Sequence, residues 1–272
     1  MADRPADANA LFELEGDTFV PSLLTTGPWQ ADAMHGGPPA ALAGRLAEAQ
    51  IGDDEFIARL NIELERPVPL VPLTAVVSRR NVSRRVTHID VALRAGDTVV
   101  VSVRALVLQR SELPPPQWQQ DPGPPHCLAD ATRVDLPAWA SDSSPLTYHQ
   151  HAVEHRMPAG SAFMAPGPAV SWVRLRYPVL GVEPTSGLCR VLAAADFGSG
   201  ISSIYGAEDG VGLINADLSV ALHRLPIGDF VCVDATTTLD PSGSALCVAT
   251  LSDEHGSLGV STQSLLGLRV SI

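Results

Sequence analysis

Three groups of side chains in this 272-residue sequence have the types and positions to do chemistry. His35-Gly36-Gly37 stands directly before an alanine-rich stretch that reads as a helix. Backbone N–H groups at a helix start are unpaired, and the helix dipole favours negative charge there, so an oxyanion could be held at this place. Glycine lets the backbone come close to a reacting group. Arg79, Arg80, Arg84 and Arg85 flank a hairpin turn in SRRNVSRR. A guanidinium fork suits phosphate, although a solvated turn accounts for the same run. His149, His151 and His155 are close in sequence. On a strand, i, i+2 spacing puts two of them on one face with no third ligand, so no metal is expected there.

What is missing narrows the chemistry further. There is no lysine, which excludes Schiff-base and P-loop lysine mechanisms. No GxSxG elbow is present, which argues against an α/β-hydrolase. No HExxH or paired histidine spacing suggests a zinc site. Cys127, Cys189, Cys232 and Cys247 are scattered, without CxxC spacing, and are expected to be buried reduced thiols. The formal net charge of −12 does not suit a nucleic-acid binder. No apolar run approaches the roughly 20 residues of a membrane helix, so no membrane insertion is expected. The N-terminus, MADRPADANALFELEGD, has early acidic residues and no apolar stretch of a secretory signal, so a soluble cytoplasmic protein is expected.

The elements that must position these residues come in a repeating order. Residues 11–20 read as a first strand. Residues 40–50, AALAGRLAEAQ, read as a helix, with Pro38 and Pro39 in its first turn, where a missing N–H costs little. Four strands follow: FIARLNIELERP, LVPLTAVVSRR, RVTHIDVALRAG and TVVVSVRALVLQ, all rich in β-branched residues. Proline-rich 111–125 cannot easily join a sheet, and it opens an extended linker placed at 111–145. The second half repeats the first. HAVEHRM and SWVRLRYP read as strands, and GLCRVLAAADFGSGISSIYG as a helical segment. Four more strands then run from GLINADLSVALHRLP to LGVSTQSLLGLRV. Leu64-Glu65-Arg66-Pro67 corresponds to Leu222-His223-Arg224 with Pro226, and Gly96 to Gly256. A helix followed by consecutive strands gives an antiparallel sheet against a helix, not a βαβ fold. The expected fold is therefore α+β: a double hotdog, two fused domains each with a long central helix wrapped by an antiparallel β-sheet. The boundaries are 1–125 and 146–272.

Trp29–Glu48, WQADAMHGGPPAALAGRLAE, resembles the start of the first helix in double-hotdog acyl-CoA thioesterases. ADFGSGIS, NADLSVALHRLP and LGVSTQSLL resemble segments of their second half. The resemblance is to the acyl-CoA thioesterase II family and its actinobacterial thioesterase-like relatives, and it covers nearly the whole chain apart from the linker. It implies a water-activating trio of Asp, Thr or Ser, and Gln. The matching positions are Asp196 (at the opening of the second helix), Asn215 in the hydroxyl position, and Gln263 in the last strand. Asn215 departs from the pattern, but it can still donate to a water or to the aspartate. His35, Gly36 and Gly37 would form the oxyanion and substrate side, and the four arginines could meet the phosphates of CoA. By the repeat register, Asp196 falls opposite Gly37-Pro38 and Gln263 opposite about Val103, so half one lacks the set and one site per chain is expected.

The function implied is hydrolysis of acyl-CoA to free acid and CoA, without a cofactor or metal. The expected partners are acyl-CoA and a second copy in a homodimer, with no nucleic acid. Two rivals stay open. One is a non-catalytic acyl-CoA or acyl-lipid binder, motivated by Asn215. The other is a hotdog enoyl-CoA hydratase, placed lower because Ile201, not a histidine, stands five residues after Asp196.

Overall fold

The computed structural model describes residues 9–28, 30–114, 123–135, 146–163, 165–206 and 209–269. Trp29 and the linker residues 115–122 and 136–145 lie outside them. The first half consists of β1 (Phe12–Glu15), β2 (Thr18–Pro21), α1 (Gly37–Glu48), β3 (Glu55–Leu64), β4 (Thr74–Asn81), β5 (Val86–Ala95) and β6 (Thr98–Gln109). The second consists of β7 (Ala131–Val134), β8 (Val153–Pro158), β9 (Ala169–Leu175), α2 (Gly187–Ala195), α3 (Gly198–Ile201), β10 (Val211–Asn215), β11 (Asp217–Leu222), β12 (Val231–Leu239), β13 (Ser244–Asp253) and β14 (Gly256–Arg269).

Several expectations need correction. Residues 11–20 form a hairpin, because Gly16 at φ 64° reverses the chain between β1 and β2. The first helix starts three residues earlier than expected and has Pro38 and Pro39 in its first turn. The linker contributes a strand: β7 pairs antiparallel with β8. His149 and His151 sit in a wide helical turn, Tyr148–Ala152, and only His155 is on a strand. Cys189, Cys232 and Cys247 are buried, but Cys127 is exposed.

Among the described residues, twelve strands join one antiparallel sheet. Its path is β4-β5-β6-β3-β11-β14-β13-β12-β9-β8-β7, with β10 on β14. The β3–β11 seam joins the halves, with Asn61 opposite Ser219 at its centre. On either side of the seam the order is the same, β6-β5-β4 and β14-β13-β12. Both seam strands are interrupted at the same distance from that centre: β3 slips register between Ile57 and Arg59, and Ala216 parts β10 from β11. Gly96 and Gly256 both take positive φ in the matching turns. Counted from the seam, Asn61 pairs Arg104 and Ser219 pairs Thr262, so the counterpart of Gln263 is Ala105, two residues from the Val103 of the repeat reading.

The helices lie inside the sheet's curve. Nine of the twelve α1 residues are buried, so α1 is wrapped rather than resting on a surface. α1 and α2 pack closely at Gly44, where an added Cβ would meet Leu192 Cδ1 at 2.2 Å. They run antiparallel, so the start of each helix meets the end of the other. Gly36 meets Asp196 at one end, and at the other the Ser186 hydroxyl donates to Glu48. The N-cap of α2 is Ser186, whose Oγ accepts from Cys189 N at 3.1 Å.

Candidate active site

Asp196 is the hub of a buried polar cluster at one end of the helix pair. It is the C-cap of α2, not the residue that opens it, so the expected placement is corrected: the opening residue is Ser186. The alanine run Ala193–Ala195 carries helix up to Asp196, and the chain then makes one more turn as α3. Asn215 ends β10, and its Nδ2 donates to Asp196 Oδ1 at 2.7 Å. Gln263, in β14, donates through Nε2 to the Asp196 carbonyl at 3.2 Å and to Oδ1 at 3.4 Å. Its Oε1 accepts from Ser199 N at 2.9 Å. Both ends of a buried amide are thereby satisfied, as burial requires.

The first half supplies the other wall. His35 Nδ1 lies 2.6 Å from Asp196 Oδ2. Nδ1 is also 3.3 Å from Gly37 N. A nitrogen that close to a carboxylate oxygen carries the proton, since two lone pairs would repel, so it has no lone pair for Gly37 N and that approach is a contact rather than a hydrogen bond. In the neutral ring Nε2 is then the nitrogen with the lone pair. The side chain of Asp196 is 3% exposed and that of His35 13%, so the imidazole is the more open of the two.

Glycine makes this contact possible. A Cβ on Gly36 would meet Asp196 Oδ1 at 2.8 Å and Oδ2 at 2.9 Å. A Cβ on Gly37 would meet Ala193 O at 3.0 Å and the Tyr148 ring at 3.1 Å. A Cβ on Gly198 would meet Gln263 Oε1 at 2.9 Å. Pro38 and Pro39 follow without N–H groups, so Gly36 and Gly37 provide the amide donors at the start of α1.

Aromatic rings hold His35 in place. Tyr148 and Phe197 lie 4.9 and 4.8 Å from its ring, and they stack on each other at 5.5 Å. The Tyr148 hydroxyl donates to Ala193 O at 3.0 Å. Burial, then the charge of Asp196, push Tyr148 well above its ordinary value, so it stays a neutral phenol. Neither ring was expected from the sequence. Phe197 follows Asp196 directly, which is a local signal, whereas Tyr148 has none. Behind them, His155 meets Phe197 edge to face at 4.6 Å and shares a 3.0 Å hydrogen bond with Ser171 Oγ.

The four arginines are elsewhere. They belong to the β4–β5 hairpin at one end of the sheet path. Arg79 is bound to Glu55 at 2.7 and 2.9 Å, and Arg80 is 3.1 Å from His88. Arg84 and Arg85 are exposed in the turn. Among the described residues, no hydrogen bond or ion pair ties the hairpin to the Asp196 cluster. A cavity of about 20 Å³, lined by Glu48, Phe56, Ile57, Arg110 and Leu188 among others, lies at the opposite end of the helix pair, not at Asp196. No group of three or more His, Cys, Asp or Glu among the described residues could hold a metal ion.

Residues 25–109 match the model of the acyl-CoA thioesterase N-terminal domain, and residues 114–266 that of the C-terminal domain. The chain belongs to the acyl-CoA thioesterase family. Solved structures share the fold. A candidate thioesterase II from Thermobifida fusca superposes with a TM-score of 0.72 at 17% identity, covering 96% of each chain. A hot dog fold protein of unknown function from Alicyclobacillus acidocaldarius gives 0.70 at 17% identity, covering 94% of this chain and 95% of its own. Acyl-CoA thioesterase II TesB2 from Mycobacterium marinum gives 0.62 at 16% identity, covering 95% and 94%. These likenesses establish the hot dog fold. No curated protein matches the chain.

Proposed function

We propose that this member of the acyl-CoA thioesterase family hydrolyses acyl-CoA to free acid and CoA with a water activated at the Asp196, Asn215 and Gln263 cluster. The observation that carries the reading is the convergence of these three side chains, from three separate elements of the second half, on one buried carboxylate. Asn215 stands where the family resemblance implies a hydroxyl, yet its amide makes the donor contact to Asp196 that a hydroxyl could make. In the same reading residues 1–125 and 146–272 are two fused hotdogs, the Pro-rich linker at 111–145 beginning within the first. The matching half-one position to Gln263 is alanine, so there is one site per chain. The Gly36 and Gly37 amides take the developing oxyanion. Of the hairpin arginines, Arg84 and Arg85 are the ones open to CoA phosphates. The outer face of β13 and β14, with Leu246, Val248, Val260 and Leu266 exposed, is where a second copy would pack in a homodimer.

The test is thiol release across acyl-CoAs from short to long. Saturable release that falls at least about 100-fold in Asp196→Asn, in a protein that unfolds at an unchanged temperature, supports the reading. Full turnover in that variant removes Asp196 from the chemistry.

One observation favours a second reading. The hydratase was placed lower for want of a histidine near Asp196 in sequence, but His35 of the other half lies 2.6 Å from it. An imidazole and a carboxyl in one site are an acid–base pair suited to hydrating an enoyl thioester. Loss of the enoyl absorbance of crotonyl-CoA, with no thiol released, would select this reading over hydrolysis.

A further inference from the structure

We infer that His35, not Asp196, takes the proton from the attacking water, and that Asp196 is a positioning residue which fixes the imidazole. The inference rests on the thioesterase reading and changes which atom receives the proton.

The carboxylate is already committed. Oδ2 faces His35 Nδ1 at 2.6 Å, and Oδ1 takes Asn215 Nδ2 at 2.7 Å and Gln263 Nε2 at 3.4 Å. The backbone of Gly36 covers both oxygens so closely that no Cβ would fit. The Asp196 side chain is 3% exposed, which leaves little room for a water on it. His35 is the opposite case. Its Nδ1 proton is held by the carboxylate, so its Nε2 carries the lone pair, on a ring 13% exposed and clamped by Tyr148 and Phe197. An oriented imidazole with a carboxylate behind it is a general base whose tautomer is set in advance.

The step balances without any other reagent. Water oxygen bonds to the thioester carbonyl carbon while one water proton moves to His35 Nε2. The carbonyl oxygen becomes the oxyanion beside the Gly36 and Gly37 amides. When the oxyanion collapses, the C–S bond breaks and the proton on Nε2 passes to the CoA sulfur. The free acid and CoA thiol leave, and His35 is again neutral.

Three variants test this with purified full-length protein: His35→Ala, His35→Gln and Asp196→Asn. Each is checked for an unchanged unfolding temperature, and thiol release is followed on the best acyl-CoA of the panel. The expected result is a kcat loss of about 100-fold or more in both His35 variants with KM within about threefold, since a general base contributes roughly 10² to 10⁴. Added free imidazole, at about 50 mM, should restore His35→Ala at least about tenfold and leave His35→Gln and Asp196→Asn unmoved, because only the first leaves a space of imidazole size. The inference is overturned if either His35 variant keeps kcat within about threefold of the parent. It is also overturned if His35→Gln retains activity that His35→Ala has lost and imidazole does not restore, since the ring would then be only a hydrogen-bonding group. A parent enzyme that releases no thiol from any acyl-CoA sinks the thioesterase reading itself, which is a different outcome from an active parent with indifferent His35 variants.

Discussion

At the scale of single residues, the site is built as much by missing atoms as by functional groups. Gly36 is the sharpest case, because it sits at φ −66°, ψ −27°, a helical conformation that any residue can adopt. Alanine there carries no backbone penalty, and its cost is purely steric. The new methyl would occupy the space of both Asp196 oxygens. Gly36→Ala is therefore expected to swing the carboxylate off His35 and Asn215. Displacements of about 1 Å in such sites cost on the order of 100-fold in rate, so thiol release should fall by about that much. The unfolding temperature should change little. Unaltered release in Gly36→Ala would mean the carboxylate does not need its place. The sequence made the glycines visible but not their reason. A carboxylate 160 positions away fills the gap, and nothing local to His35-Gly36-Gly37 points to it.

At the scale of elements, two helices set the distance between the halves, and Gly44 sets the distance between the helices. A Cβ at Gly44 would come within 2.2 Å of Leu192 Cδ1, and Leu192 is fully buried. Leu192→Ala should cost about 2–5 kcal/mol through lost burial and a cavity. Gly44→Ala alone should cost about 1–2 kcal/mol, because overpacking outweighs the better helix propensity of alanine. Together they should be far from additive, since the Gly44→Ala methyl lies where the leucine branch was. In the Leu192→Ala background, Gly44→Ala should stabilise. Urea unfolding of the four proteins measures the coupling, and additive losses would refute the close packing. Most elements were legible beforehand, because β-branched runs and the alanine-rich helix speak through local propensity. The errors came where local signals compete. Asp196 looked like a helix start because aspartate is a common N-cap, whereas the Ser186 hydroxyl, three residues before Cys189, holds that role. β7 was hidden in a proline-rich region, since pairing with β8 is a tertiary choice.

At the scale of the whole molecule, the seam between β3 and β11 makes two similar halves share one sheet, so a cost at one buried point is felt by the whole fold. The like order of strands on either side of the seam was legible. The seam was not, because strand composition does not name a partner. His155 is the buried point that acid should find. It is 2% exposed, on β8, against Phe197 beside the site. Burial chiefly, then the electrostatic influence of its neighbours His35, His149 and Arg176, lowers its pKa to about 3. Histidine in the unfolded chain titrates near 6.5. Between these values the unfolded chain binds a proton that the folded protein refuses, so stability is complete above about pH 6.5 and falls as pH drops towards 3. The full shift corresponds to about 3–5 kcal/mol, of which about 3 is lost by pH 4. Asp253 adds a later loss. Burial would raise its carboxyl, but Arg224 at 2.6 and 2.7 Å and the backbone N–H groups of Ile227 and His255 outweigh that and hold it at about 2. Its contribution is present above the ordinary aspartate range and goes only as pH falls from about 4 towards 2. The two windows separate the residues. His155→Gln, which keeps a partner for Ser171, should lose less stability than the parent between pH 7 and pH 4, by about 3 kcal/mol in urea unfolding. Below about pH 3, where the folded parent also takes up the proton, its behaviour should follow the parent's. Parallel curves for the two proteins between pH 7 and 4 would show that His155 takes up its proton in the folded state, and that the aromatic core around Phe197 admits charge.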